Sequence, residues 1–170
     1  MINLVKRLLK KSKPPTPFDE WPEGVGETMV LNLQDGNLSG SRIGDGISQL
    51  KPFRRPDAVE RIGGDEWEVR YDNEGIWLSF DERKLVMFGS SFGAVPVLVS
   101  GDLELSKGMP TSQVVEILGK PSRTDLEDVD DLSLLYDGES CVFEVVFDAK
   151  QTLSEAIVLQ EAITTRQSTQ

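Results

Sequence analysis

The densest group of chemistry-bearing side chains in this sequence is Asp125-Leu126-Glu127-Asp128-Val129-Asp130-Asp131. Spaced carboxylates suit a divalent cation, and a helix-loop-helix calcium loop needs oxygen ligands at its first, third and fifth positions with glycine at the sixth. Asp128 and Asp130 meet the first two requirements, but Leu132 and Ser133 break the pattern, so the expectation is a solvated acidic loop and no metal site. Asp72-Asn73-Glu74-Gly75 reads as a hairpin turn for the same reason. Gly24-Val25-Gly26 and Gly44-Asp45-Gly46 lack the Gly-Lys-Ser/Thr that would follow a phosphate loop. Ser90-Ser91-Phe92-Gly93 lacks the glycine spacing of a nucleophile elbow, and the chain has no histidine to activate a serine. Cys141, the single cysteine, falls on the apolar side of a predicted strand, where a buried inert thiol is the ordinary outcome.

Without histidine the chain lacks the commonest general base and transition-metal ligand, and one cysteine forms no internal disulfide. A non-enzymatic protein with no cofactor is therefore expected. Of the 18 basic residues, Lys6, Arg7, Lys10, Lys11 and Lys13 lie in the first 13 positions with no acid among them, leaving 13 bases against 29 acids for the rest. Such an acidic body repels polyanions and argues against nucleic acid. Residues 1–13 are basic, yet no apolar stretch or small-residue cleavage site of a signal peptide follows, so a cytoplasmic location is expected. Met1, Leu4, Val5 and Leu8 share one helical face, which makes a membrane surface bound through residues 1–13 the alternative reading.

The elements that must position any site follow from periodicity. Pro14, Pro15 and Pro17 make a stiff linker, so residues 1–24 are read as a basic arm and linker. Strands are predicted at 28–33, 66–72, 75–81 and 84–89, with 94–100, which contains Pro96, as an edge strand or extended connection. In the second half a helix is predicted over 111–118, preceded by Pro110, capped by Thr111 and stopped by Gly119 and Pro121. Three strands then follow, near 132–136, 141–148 and 153–159.

The halves align. Ile43-Gly44-Asp45-Gly46-Ile47 matches Leu105-Ser106-Lys107-Gly108-Met109, Pro56 matches Pro121, and Tyr71-Asp72-Asn73-Glu74 matches Tyr136-Asp137-Gly138-Glu139. Two tandem divergent repeats are expected, at 25–100 and 101–162, with a polar tail at 163–170. The fold class is α+β, each repeat a short helical segment on an antiparallel sheet of three or four strands.

Leu105-Ser106-Lys107-Gly108-Met109 followed by Val114-Val115-Glu116-Ile117-Leu118-Gly119-Lys120-Pro121 resembles the opening of the BamE/SmpA-OmlA-like superfamily, which includes the small lipoprotein of the bacterial outer-membrane barrel assembly machine. It is also similar to the tandem-repeat β-lactamase inhibitor protein. The match covers residues 105–159 and is loose in the first half, where Arg54 stands at the place of the helix-ending glycine and Pro52 falls inside the helix. The resemblance implies a binding or scaffolding module with no shared catalytic residues. The lipidated cysteine is missing, so an inhibitor-like tandem fits better than a lipoprotein.

Alternation puts Trp67, Val69 and Tyr71 on one face with Glu68, Arg70 and Asp72 on the other. It sets Trp77 and Ser79 apart from Ile76, Leu78 and Phe80, and Val142, Glu144 and Val146 apart from Phe143, Val145 and Phe147. A tryptophan among charges on a sheet face is the kind of anchor interfaces favour. Trp77, Glu68, Arg70 and Glu144 are therefore the expected partner-binding residues. The function expected is a protein-binding module, inhibitory or immunity-like, whose partner is another protein.

Overall fold

The computed structural model describes residues 15–23, 28–50, 53–126 and 132–159. The basic arm, the polar tail, Pro52 and most of the acidic loop after Asp125 lie outside them. In chain order the strands are β1 (Leu31–Asn32), β2 (Asn37–Leu38), β3 (Ser41–Arg42), β4 (Ala58–Gly63), β5 (Glu66–Tyr71), β6 (Ile76–Asp81) and β7 (Lys84–Ser90). Then come β8 (Val97–Leu98), β9 (Glu104–Leu105), helix α1 (Thr111–Leu118), β10 (Arg123–Leu126), β11 (Leu132–Asp137), β12 (Val142–Phe147) and β13 (Leu153–Leu159).

These strands form two sheets. The smaller has the order β3-β2-β1-β8-β9, each strand two residues long. The larger has eight antiparallel strands in the order β10-β11-β12-β13-β7-β6-β5-β4. The fold is thus mostly β, and the expectation of an α+β tandem of helix-on-sheet units is corrected. Among the described residues α1 is the one α-helix, and where the first unit's helix was expected there is a single 3-10 turn at Ile47–Leu50. A short or irregular helical layer is what a sequence with Pro52 in that stretch leads one to expect. The large sheet also runs across the boundary expected at residue 100. β7 and β13 are hydrogen-bonded neighbours, with Gly89 opposite Ile157 and Phe88 opposite Val158.

Alternation along these strands builds the core. Val69, Leu78, Phe88, Val158, Phe143 and Tyr136 form one row across β5, β6, β7, β13, β12 and β11, and all six are buried. A large aliphatic or aromatic side chain buried this way stabilises the fold by about 1.5–3 kcal/mol relative to an exposed one. Leu31, Leu38, Val97 and Leu105 of the small sheet join the same apolar cluster, as do Phe18 and Trp21 before β1.

Two local expectations change. Thr111 does not cap α1: Pro110 occupies the cap position, and the Thr111 hydroxyl donates to the Gln151 carbonyl at 3.1 Å. Strand β8 is not an edge, because it lies between β1 and β9. Pro96 sits just before the ladder, where its carbonyl accepts from the Leu31 N–H and its missing N–H costs nothing.

Candidate functional site

Each core position on the large sheet has a neighbour pointing the other way. Arg70, Trp77, Gly89, Ile157, Glu144 and Leu135 form a second row across the same six strands. Glu68, Ser79, Met87, Leu159 and Val142 form a parallel row two residues along. The structure therefore brings Glu68, Arg70, Trp77 and Glu144 onto one outward face spanning β5 to β12. Arg70 is exposed; Glu68, Trp77 and Glu144 are half-buried.

Trp77 is seated by a glycine. A Cβ at position 89 would lie 2.6 Å from Trp77 Cζ2 and 2.9 Å from the Ala156 carbonyl oxygen, so only glycine lets the indole lie across β7. On the far side the indole Nε1–H donates to Glu155 Oε1 of β13 at 2.7 Å. Burial raises the Glu155 carboxyl above its ordinary value; the Trp77 bond lowers it, and Glu144 and Glu68 raise it further. Among the described residues no lysine or arginine makes an ion pair with Glu68, Glu144 or Glu155.

Glu155 was absent from the expected site. Its signal is nevertheless in the sequence: if Ala156 and Val158 face the core, Glu155 and Ile157 must face away. Apolar side chains surround the carboxylates, with Met87, Val142, Val146, Ile157 and Leu159 all half-buried. Beside them lies an open groove of about 300 Å³, lined among others by Ile62, Val86, Met87, Glu66 and Asp81. Ile62 is 58% exposed, a large apolar side chain presented to solvent.

Several other polar groups are compensated from within, although the buried Tyr71 hydroxyl has no hydrogen-bond partner among the described residues. A larger cleft of about 480 Å³ holds Thr16, Asp19 and Arg55 beside Ala58 and Val59. There Asp19 accepts from the Thr16 N–H at 2.7 Å and pairs with Arg55 at 2.7 Å. Arg54 binds both oxygens of Asp57 at 2.7 and 2.8 Å and both of Glu74 at 2.9 and 3.1 Å, tying the segment before β4 to the β5–β6 turn. The Cys141 thiol is buried, donates to the Leu33 carbonyl at 3.5 Å, and is raised above its ordinary value by burial. Ser90 is buried, with its hydroxyl accepting from the Phe92 N–H. Asp125 pairs with Arg123 at 3.2 Å on β10. Among the described residues no group of three His, Cys, Asp or Glu side chains could hold a metal ion, and no helix is long and apolar enough to cross a membrane.

No protein-family model matches the chain, and no curated protein matches it. Solved structures do. A cysteine-rich secretory protein from Staphylococcus aureus subsp. aureus Mu50 is similar over 82% of this chain and 52% of its own, at 13% identity and a TM-score of 0.51. An extracellular protein containing a SCP domain from Bacillus anthracis str. Ames is similar over 91% of this chain and 50% of its own, at 15% identity and a TM-score of 0.51. The chain spans about half the length of each, and at such identities the likeness concerns the fold alone. The mostly β fold and these structural neighbours overturn the resemblance to the BamE/SmpA-OmlA-like and β-lactamase-inhibitor-like superfamily. The "KGM…VVEILGKP" segment on which it rested encodes a β-turn, one short helix and a glycine stop, a local signal that fits a mostly β fold equally well.

Proposed function

We propose that this chain is a non-enzymatic module that binds another protein on the outward face of its eight-stranded sheet. The observation that carries the reading is the joining of Trp77, Glu68, Arg70, Glu144 and Glu155 on one face, amid half-buried apolar side chains. An aromatic anchor, an apolar surround and carboxylates of one sign make the elements of a binding hot spot. They favour a partner that presents lysine or arginine around an apolar centre. A rigid face of this kind serves directly to occlude a partner's own functional surface, as an inhibitor or immunity protein does.

The test is affinity capture from the native cell lysate with the intact chain, the Trp77→Ala variant, and a variant carrying Glu68→Lys and Glu144→Lys. One stoichiometric partner is expected with the natural chain. Trp77→Ala is expected to weaken its capture about 30-fold, the effect of losing about 2 kcal/mol at an aromatic hot spot. The double charge reversal is expected to abolish capture while the circular dichroism spectrum is unchanged. Equal capture by all three folded proteins would remove the face from consideration.

A further inference from the structure

We propose that the outward sheet face is occupied in the resting protein by the chain's own basic segment, residues 1–13, which competes with any partner. This inference rests on the docking face proposed above and names a ligand for it.

Charge and reach support this occupant. The segment carries five bases and no acid, with Met1, Leu4, Val5 and Leu8 as an apolar stripe. The face offers the converse, with Glu68, Glu144 and Glu155 set among Met87, Ile157 and Leu159. Thr16 lies in the cleft beside the edge strand β4, with Phe18 packed on the core-side rings of Trp67 and Phe80, so the preceding segment reaches the outward face by rounding β4. Residues 13–15 span about 9 Å as an extended proline-rich linker. Trp77 on β6 is two strands in from β4, about 10 Å. A twelve-residue helical segment is about 18 Å long, enough to cross from β5 to β13, about 14 Å. A short tether also gives the segment an effective concentration of order millimolar, which offsets the weak intrinsic affinity of a short peptide.

The test uses the intact chain with Asn3→Cys carrying a nitroxide, Cys141 being buried and protected from the label. Selective broadening of the Trp77 indole N–H and of the β12 and β13 amide resonances is expected. Lys6→Glu, Arg7→Glu and Lys10→Glu together should relieve it. A synthetic peptide of residues 1–13 is then titrated against both chains. It should bind the charge-reversed chain about tenfold more tightly than the natural one, whose site is already filled, and Glu155→Lys in the charge-reversed chain should remove that binding.

An unbroadened Trp77 resonance would overturn the inference. If the free peptide still bound the face in that case, intramolecular docking would fall while the binding-face reading stood. If the peptide bound neither chain and capture were also insensitive to Trp77→Ala, both readings would fall. A nitroxide that leaves the face untouched but is immobilised by phosphatidylserine vesicles would assign the segment to a membrane surface and overturn intramolecular docking.

Discussion

Two clusters of charge on this molecule are built on opposite terms. Around Arg54, one guanidinium meets two carboxylates, with bonds of 2.7 to 3.1 Å to Asp57 and Glu74 and its Cζ 5.4 Å from the Tyr71 ring centre. That guanidinium holds the Asp57 carboxyl below its ordinary value. Around Trp77 the terms are reversed. Glu155 has one indole donor, two like-charged neighbours and a carboxyl raised above its ordinary value. The first cluster lowers the energy of the fold. The second has no cation paired to it among the described residues, so within them its charge sits where the fold disfavours it. The matched cluster ties the fold together, and the unmatched one lies on the face where we propose that a partner docks.

The largest effect that would sharpen this contrast is at the matched cluster. Arg54→Ala leaves Asp57 and Glu74 partly buried without their cation, and is expected to cost about 2 kcal/mol, or roughly 4–8 °C in Tm, by thermal unfolding. The sign of its pH dependence follows from Asp57. A carboxyl held below its ordinary value contributes stability that is present above that value and is lost as pH falls through the lowered one. The gap between natural and variant chains should therefore narrow in acid, and a gap independent of pH would break the comparison. Next in size is Gly89→Ala. The new methyl collides with the Trp77 ring and the Ala156 carbonyl, an overpacking expected to cost about 1–2 kcal/mol. Because the ring must move off Glu155, tryptophan fluorescence should shift as well; a loss of stability with no spectral change would mean that the β7–β13 seam gave way instead.

What the sequence makes legible is local. The residue pattern identifies β5, β6, β7, β11, β12 and β13 and sorts the faces of β5, β6 and β12, because alternation depends only on the strand's own residues. Strand β13 is expected over the residues it occupies, and the Gly119 stop of α1 stands with φ of 81°. Strand β4, Ala-Val-Glu-Arg-Ile-Gly, is missed because an edge strand with both faces largely exposed shows no clean alternation. In the small sheet β1 and β8 fall inside the segments expected at 28–33 and 94–100, whereas the two-residue β2, β3 and β9 are too short to carry a period. The pairing of β7 with β13 is missed for a different reason: a contact between residues far apart in the chain leaves no mark in either segment alone. That pairing brings Glu155 to Trp77, so the expected residue set holds Trp77, Glu68 and Glu144 of this face but not Glu155.

The smallest effect is the most direct test of the unmatched cluster. Glu155→Gln keeps an oxygen to accept from the Trp77 indole and removes the charge that Glu144 and Glu68 oppose. A carboxyl raised by folding binds its proton more tightly in the native state, so the natural chain loses stability as pH rises from the ordinary glutamate range through the raised value. Glutamine has no such dependence at this position. In a chain whose face is freed by Lys6→Glu, Arg7→Glu and Lys10→Glu, the variant should match its parent in acid and exceed it by a few degrees in Tm at neutral pH, with the difference growing across that interval. Partner capture should move the other way, weakened by loss of the carboxylate that a basic partner would meet. A Glu155→Gln chain that is less stable at neutral pH would mean that Glu155 is already compensated, and the contrast with Arg54 would disappear.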